Sequence, residues 1–403
     1  MRPIRETIPI QDALALAIGA ATPIQHTERV PLREAHGRVV AETIVARADV
    51  PPFDRAAMDG FAVIADDTFG AGRIDPKVLR CVGKIYTGDA PTRAIAPGEC
   101  IEIATGAPLP EGANAVVMVE ETERGENPDD VRVMMPVYPR QNVGRRGGDM
   151  AAGQEILRAG DFLNPARVGA LAATGSGEVT VFDRPTVTIL STGNELIEPG
   201  MPLGPAQIYD INRFTLAAIV SEHGGRANVL PTAPDSLEEL TAIVEHAAPA
   251  DIIVFSGGSS VGEKDLVLDV LRNAGEVLFH GIAVKPGKPT ILGRVRGRVV
   301  LGMPGNPTSC LSNAYLLLMP MLRRIARLPE FRPQTVRVPL SRRIVSTTGR
   351  HQFYTVKVVD GSAVPAFKAS GDITSMSHAD GYIEVPAQTD IVEAGELVEV
   401  KLF

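Results

Sequence analysis

The sequence predicts a multidomain α/β protein: a parallel-sheet α/β domain, preceded by a mixed N-terminal domain carrying an all-β insertion and followed by a C-terminal all-β domain. Three observations predict it. At 403 residues the chain exceeds an ordinary single domain and is long enough for several separate cores. Between Pro185 and about Leu328, short apolar runs alternate with helical patterns, as in a parallel sheet covered on both faces. Outside that region, short β-type runs are divided by turns rich in Gly, Pro and Asp.

Taken in order, Ile10 to Ile18 has the period of an amphipathic helix, and Arg38 to Val45 reads as a strand. The composition shifts at Pro51, Pro52 and Phe53, which predicts an insertion over 46–151 built from runs such as Val78–Val82, Glu99–Ile103, Ala115–Val119 and Val131–Met135. Residues 152–180 return to the first domain (1–45), with a helix at Pro165 to Ala173 whose proline suits the first helical position. The α/β domain, 181–328, alternates strand Val187–Leu190, helix Asn212–His223, strand Asn228–Leu230, helix Leu237–His246, strand Asp251–Phe255 and helix Asp265–Asn273. Strands Leu278–Val284, Thr290–Gly293 and Val299–Gly302 follow, then a long helix from Pro307 to about Leu328. The last domain, 329–403, carries strands Thr335–Pro339, Phe353–Val359, Tyr382–Pro386 and Leu397–Leu402.

Composition excludes several function classes. With 48 acidic against 40 basic residues, the net charge of −8 lacks the basic footprint of a nucleic-acid binder. No apolar stretch reaches the length of a membrane span, and Glu6 and Asp12 interrupt the one patch, Ala13 to Ala21, that imitates a signal-peptide core. Cys81, Cys100 and Cys310 are odd in number and widely spaced, which suggests neither a disulfide framework nor a zinc site and points to a reducing, cytoplasmic setting.

The chemistry sits in loops. In an open α/β sheet, ligands bind beyond the carboxyl ends of the strands, where backbone N–H groups of following helices are free. Three loops fit: Ser191-Thr192-Gly193-Asn194-Glu195, Ser256 to Asp265 (with Gly257, Gly258 and Ser259), and Gly302-Met303-Pro304-Gly305-Asn306-Pro307. Their glycines admit a phosphate to the backbone and their hydroxyls donate to it. Lys285-Pro286-Gly287-Lys288-Pro289 holds two ammonium groups on a stiff turn, and Arg145-Arg146-Gly147-Gly148-Asp149 is a second cationic loop, so a polyanion is the expected ligand. Gly287-Lys288-Pro289 is no Walker A end, because proline replaces the Ser/Thr and Ile282 stands where a glycine is needed. Asp59, Glu195 and Asp265 lie among glycines and hydroxyls and suit Mg²⁺ shared with phosphates, whereas Asp210 and Asp235 precede helices, where capping competes with function. His223, near a helix end, reads as a partner of the helix dipole.

Together PPFDRAAMDGFAV (51–63), TGAPLPEGANAVVMVE (105–120), RRGGD (145–149), STGNEL (191–196), SGGSSVGEKD (256–265), KPGKP (285–289), GMPGNP (302–307) and GDITSMSHADGYIEVP (371–386) closely resemble the molybdopterin molybdenumtransferase (MoeA) family, which includes gephyrin and plant Cnx E domains. The resemblance runs in order over essentially the whole chain. It implies a homodimer in which the α/β domain binds molybdopterin and the C-terminal domain is a β-barrel. It implies a reaction in which adenylylated molybdopterin and molybdate give molybdenum cofactor and AMP, assisted by Mg²⁺. The pathway's adenylyltransferase and molybdoenzyme apoproteins are implied partners.

Carried over by motif, Asp59, Thr105, Asp149, Glu195, Asp235, Asp265, Lys285, Lys288, Pro304, Pro307 and one of Ser375 or Ser377 match the family's active cleft. The resemblance then suggests Lys285 and Lys288 for oxyanion or phosphate charge, and Asp59, Glu195 and Asp265 for Mg²⁺ or the attacking water. One departure stands out: some members carry a further lysine where this chain has Gly281, which leaves His280 or Arg145 to meet part of molybdate's charge. A tungstate-selective or adenylylating paralogue, and a non-catalytic dimeric scaffold, are the alternative readings.

Overall fold

The computed structural model describes residues 6–233, 236–246, 250–257 and 266–403. The chain forms two compact units: Arg29–His36 with Val40–Thr180, and Gly37–Val39 with Val181–Phe403 and the stretch up to Glu28.

In the first unit, every regular element described between residues 55 and 144 is a strand or a short 3-10 turn. Six strands form one sheet in the order Ala115–Met118, Gly60–Val63, Glu99–Ile103, Lys77–Ile85, Asp130–Val133 and Thr122–Arg124. Alternating side chains of these strands fill two cores. Phe61, Val63, Cys100 and Val117 lie in one, and Ala62, Ile101, Ile103 and Val116 in the other. Helix Pro165–Ala173 begins where its sequence predicts: Asn164 caps it, its side chain accepting from Arg167 N, with proline in the first turn.

In the second unit, a six-stranded sheet runs in the order Arg226–Val229, Thr186–Ser191, Ile252–Ser256, Arg298–Met303, Ile291–Val295, Glu276–His280. Both faces are covered. Val187, Ile189, Ile252, Val254 and Leu301 pack with helices Ile10–Ala20, Asn212–Glu222 and the helix from Pro307. The alternate residues Leu190, Ile253, Phe255 and Val300 pack with Leu237–His246 and Leu266–Ala274. That alternation explains the unbroken apolar runs.

Five expectations need correction. The strand expected over Arg38–Val45 is reduced to Ile44–Val45, with Val39 and Val40 making only single bridges. The sheet is mixed, with four parallel strands and an antiparallel edge pair. Arg296 and Gly297, with φ of 51° and 81°, form a two-residue turn between Val295 and Arg298, and so short a connection joins only antiparallel neighbours. The strand expected over Leu278–Val284 is two strands: Glu276–His280 ends at Gly281, and Val284–Lys285 leaves the sheet to pair with His351 and Gln352. The long final helix is interrupted by a π turn at Ala314–Leu318, one turn ahead of Pro320, whose missing N–H and ring disfavour a regular α-helical ladder there. His223 does close its helix, but burial and the neighbouring Arg323 charge lower its pKa to about 4, so it stays neutral and is no cationic dipole partner.

The C-terminal residues, joined by Val284–Lys285, form a third six-stranded sheet in the order Val284–Lys285, His351–Val359, Gly381–Val385, Leu397–Leu402, Thr335–Pro339, with Ser362–Pro365 folded back on His351–Val359. A bridge between Leu340 and Ala363 curls it around Val356, Ile383, Val385 and Val400. Among the described residues no helix is long and apolar enough to cross a membrane.

Candidate functional site

The strand order creates the site. From Thr186–Ser191 the chain passes through one helix to the neighbour on one side, Arg226–Val229, and through the next helix to the neighbour on the other, Ile252–Ser256. The crossovers part between Ser191 and Ser256, and a ligand crevice is expected beyond such a switch point. Arg298–Met303 lies alongside, so the three predicted loops emerge from adjacent strand ends.

These loops are tightly tied to each other. Thr192 N donates to Ser256 O at 3.0 Å, and Gly257 N to Met303 O at 3.2 Å. Gly257 has φ of 90°, and a Cβ there would stand 2.5 Å from Thr192 O, so only glycine fits this close approach. Asn212, at the start of its helix, donates through Nδ2 to Ser256 Oγ and to Gly305 O, both at 2.7 Å. Yet the buried Ser191 Oγ, Thr192 Oγ1 and Asn212 Oδ1 have no partner among the described residues. Buried polar atoms are normally satisfied, so three orphans at one strand end mark a place for a polar ligand.

The neighbouring predicted residues divide. Glu195 is exposed, and its carboxylate oxygens lie over Gly193, 2.7 Å from where a Cβ there would stand. Pro304 is buried, Gly305 exposed and Pro307 half-buried at the first turn of its helix. Thr308 N donates to Ser370 O at 3.0 Å and Thr308 Oγ1 to Asp372 O at 2.9 Å, which ties the C-terminal GDITS motif to this helix start. Ser375 is buried and committed to its own turn, accepting from Lys368 N at 3.0 Å, whereas Ser377 is exposed. Asp235, Gly258, Ser259 and Asp265 lie outside the described residues.

The KPGKP turn is rigidly held. Asn313 Nδ2 donates to Gly287 O at 2.8 Å and to Thr290 Oγ1 at 2.6 Å, and a Cβ on Gly287 would meet that amide at 2.3 Å. Lys285 Nζ donates to Thr347 Oγ1 at 2.7 Å, a hydroxyl that positions the ammonium without cancelling its charge. Lys288 is likewise half-buried. Gly281, the departure from the family pattern, has φ of 98°, a backbone conformation in which a lysine would be strained.

In the β unit, Asp59 Oδ1 accepts from Thr105 N at 2.7 Å and from Thr105 Oγ1 at 3.0 Å. These bonds, the backbone one foremost, hold its carboxyl below the usual range and keep it ionised. It borders a pocket of about 340 Å³, where Glu102 pairs with Lys84 at 2.6 Å and Arg124 at 2.5 Å. Arg145 and Asp149 are exposed; their loop is braced by Arg146, which reaches Asp49 at 2.6 Å while its N–H donates to Asp54 Oδ1 at 2.8 Å. Among the described residues no three His, Cys, Asp or Glu side chains gather as a ready metal cage.

The sequence reading missed Asn212, the residue that joins two of the loops, and the buried ion pair beneath it. Asp210 Oδ2 lies 3.3 Å from Arg213 Nε, and Arg213 reaches Glu198 at 3.0 Å. Asp210 also accepts from Arg213 N at 3.3 Å, so the capping reading holds for it. The only signal was a polar cluster, Asp210-Ile211-Asn212-Arg213, opening an otherwise apolar helix.

Fold and site together define a multidomain α/β protein whose three loops meet beyond the switch point of its sheet around unpartnered buried polar atoms. Three family models match the chain in sequence: the MoeA N-terminal region (domains I and II) over residues 8–175, a probable molybdopterin-binding domain over 188–324, and the MoeA C-terminal region (domain IV) over 337–403. The Mycobacterium tuberculosis protein named molybdopterin molybdenumtransferase 2 is 36% identical over 99% of both chains. A crystal structure of a molybdopterin biosynthesis MoeA protein from Pyrococcus horikosii, 39% identical, superposes with a TM-score of 0.83 over 98% of this chain and 99% of that one. A second, from Pyrococcus horikoshii OT3, is 32% identical, with a TM-score of 0.82 over 99% and 100%. The chain belongs to the MoeA family of molybdopterin molybdenumtransferases.

Proposed function

We propose that this protein is a molybdopterin molybdenumtransferase acting in molybdenum cofactor biosynthesis, inserting molybdate into adenylylated molybdopterin to give molybdenum cofactor and AMP. The observation that supports it most is the switch-point crevice with its unpartnered buried Ser191, Thr192 and Asn212 atoms, in a chain whose relatives carry that name. An adenylylated pterin brings phosphate oxygens to which the Ser191 and Thr192 hydroxyls can donate, and pterin or ribose N–H and O–H groups from which Asn212 Oδ1 can accept; groups already fixed in place cost no reorganisation when they receive such partners.

In this reading Ser191, Thr192, Gly193, Ser256 and Gly257, with Gly258 and Ser259, receive the phosphates. Lys285, Lys288 and Arg145 offset the oxyanion. Pro304, Gly305, Pro307 and one of Ser375 or Ser377 shape the neighbouring wall, Ser377 being the exposed hydroxyl. Thr105, Asp149 and Asp235 belong to the same set, Thr105 by holding Asp59 ionised. Asp59, Glu195 and Asp265 are hard carboxylate donors of the kind that suits Mg²⁺, which when bound withdraws charge from phosphate oxygens.

The four-part division at 1–45 with 152–180, 46–151, 181–328 and 329–403, a closed C-terminal barrel, a cytoplasmic location and a homodimer belong to the same proposal. For the dimer, the exposed apolar side chains of Met201, Leu203, Ile208, Tyr209 and Phe214 offer a surface; sedimentation at micromolar concentration tests it. The adenylyltransferase and molybdoenzyme apoproteins are the proposed partners. The activity test is AMP release from adenylylated molybdopterin with Mg²⁺, with and without molybdate, repeated with tungstate. Molybdate-dependent release supports the reading, and tight binding with no release under any condition overturns it.

A further inference from the structure

Two cysteines that the sequence separates by most of a strand–loop–strand meet in the β unit. Cys81 on Lys77–Ile85 and Cys100 on Glu99–Ile103 are directly opposite residues of two parallel, hydrogen-bonded strands. Neighbouring strands lie about 4.8 Å apart, inside the Cα separation of about 4.4–6.8 Å that a disulfide tolerates. Opposite residues of parallel strands point to the same face, and Cys81 packs against the core cluster that contains Cys100. Cys81 is also among the neighbours that raise the Cys100 thiol, and both thiols are free in this structure.

Their environments differ in a way that assigns an order of reaction. Cys81 is half-exposed, its Sγ donating to Gly83 O at 3.4 Å, and Arg124 lies against it. Cys100 is fully buried, and burial with the adjacent Cys81 pushes its thiol up to about 12. Cys310 is also fully buried, in the other unit.

We propose that Cys81 and Cys100 form a reversible cross-strand disulfide, with a low-molecular-weight disulfide as oxidant. Cys81 gives up its proton to solvent and its sulfur attacks one sulfur of the reagent, forming a mixed disulfide and expelling one thiolate. Cys100 then gives up its proton to solvent and attacks the Cys81 sulfur, expelling the second. Two protein thiols are oxidised, and one reagent disulfide is reduced to two thiols. Closure is the slow step, because the buried Cys100 must ionise first, so it accelerates with rising pH. The bond would form beside the register shift between Cys81 and Lys84, next to the strand segment that brings Lys84 and Glu102 to the pocket.

The test treats the folded full-length protein with oxidised glutathione, then denatures, alkylates and weighs it. The expected result is loss of two of the three alkylatable thiols and of two hydrogens, with no glutathione mass retained and full recovery in dithiothreitol. Cys100→Ser should instead retain one glutathione on Cys81, and Cys81→Ser should remain unmodified. A stable glutathione adduct on the wild-type Cys81, or three free thiols in the wild type whether or not Cys100→Ser is modified, would overturn the proposal.

Discussion

Asn212 is the residue that most directly ties together the loops beyond the switch point. It is 6% exposed, and its single amide nitrogen spans two strand ends, donating to Ser256 Oγ and Gly305 O at 2.7 Å each. Asn212→Ala removes both bonds. The exposed Gly305 regains water, so that loss costs about 1 kcal/mol, whereas the 2%-exposed Ser256 hydroxyl keeps only a long, weak contact from Cys310 Sγ at 4.0 Å, and its lost bond is worth about 1–3 kcal/mol. The expected destabilisation is therefore about 2–4 kcal/mol. Asn212→Asp replaces a donor by an acceptor facing two oxygens and should cost at least as much. The chain has no tryptophan, so the assay is urea unfolding followed by far-ultraviolet circular dichroism. With an m-value of about 2–3 kcal/mol per molar, Asn212→Ala should lower the midpoint of the α/β transition by about 1 M. Ser221→Ala, which deletes a solvent-exposed bond to Ala217 O on the same helix, should stay within about 0.5 kcal/mol of the parent. If Asn212→Ala shifts the midpoint no more than this control, the amide does not hold the loops together and the assignment fails.

Other perturbations follow from the same geometry. Gly257→Ala forces a Cβ to 2.5 Å from Thr192 O at a positive φ; it should cost about 2 kcal/mol or more and weaken binding of adenylylated molybdopterin, measured by calorimetry. Gly287→Ala should displace the KPGKP turn against Asn313 and lower molybdate-dependent AMP release while leaving the far-ultraviolet spectrum unchanged. Burial would raise the Glu384 carboxyl, but His351 at 3.1 Å and Lys401 at 2.6 Å outweigh it and hold the pKa at about 2, against an ordinary 4.5. A depressed carboxylate pKa stabilises the fold above its unfolded value and loses that contribution as pH falls. The C-terminal sheet should therefore lose on the order of 3 kcal/mol between about pH 4.5 and 2, and Glu384→Gln should flatten that part of the stability profile. Thr105→Val removes one of the two donors on Asp59 Oδ1, so the Asp59 carboxyl should titrate closer to 3.8 by NMR; an unchanged titration would mean that the backbone donor alone sets it.

Helices Pro165–Ala173 and Leu237–His246 and strands Thr335–Pro339 and Leu397–Leu402 stand at the residues their local patterns predict. In each, apolar period, proline position and turn residues are properties of a few consecutive amino acids. The elements that differed depend on neighbours. The edge of the α/β sheet is antiparallel because a two-residue turn leaves no length for a crossover, and Val284–Lys285 changes sheets because His351–Val359 is there to pair with it. The final helix tracks an apolar stripe through Pro320, while its backbone accommodates that proline with a wider turn.

The candidate site divides along the same line. Glycine- and hydroxyl-rich loops after apolar strands, two lysines on a Pro/Gly turn and a chain-long succession of motifs are written in the sequence, because loop chemistry and strand ends are local. From them alone follow the multidomain α/β class and the family, and the expectation of an anionic ligand. Which loops are adjacent was decided by the strand order, which brings Ser191, Ser256 and Met303 to neighbouring strand ends although they are far apart in the chain. The same folding made Asn212 a tie between two loops and set Cys81 opposite Cys100. Such pairings arise from the burial of two sheet faces and the hydrogen-bond register between strands, which are properties of the whole packed chain and of no single segment.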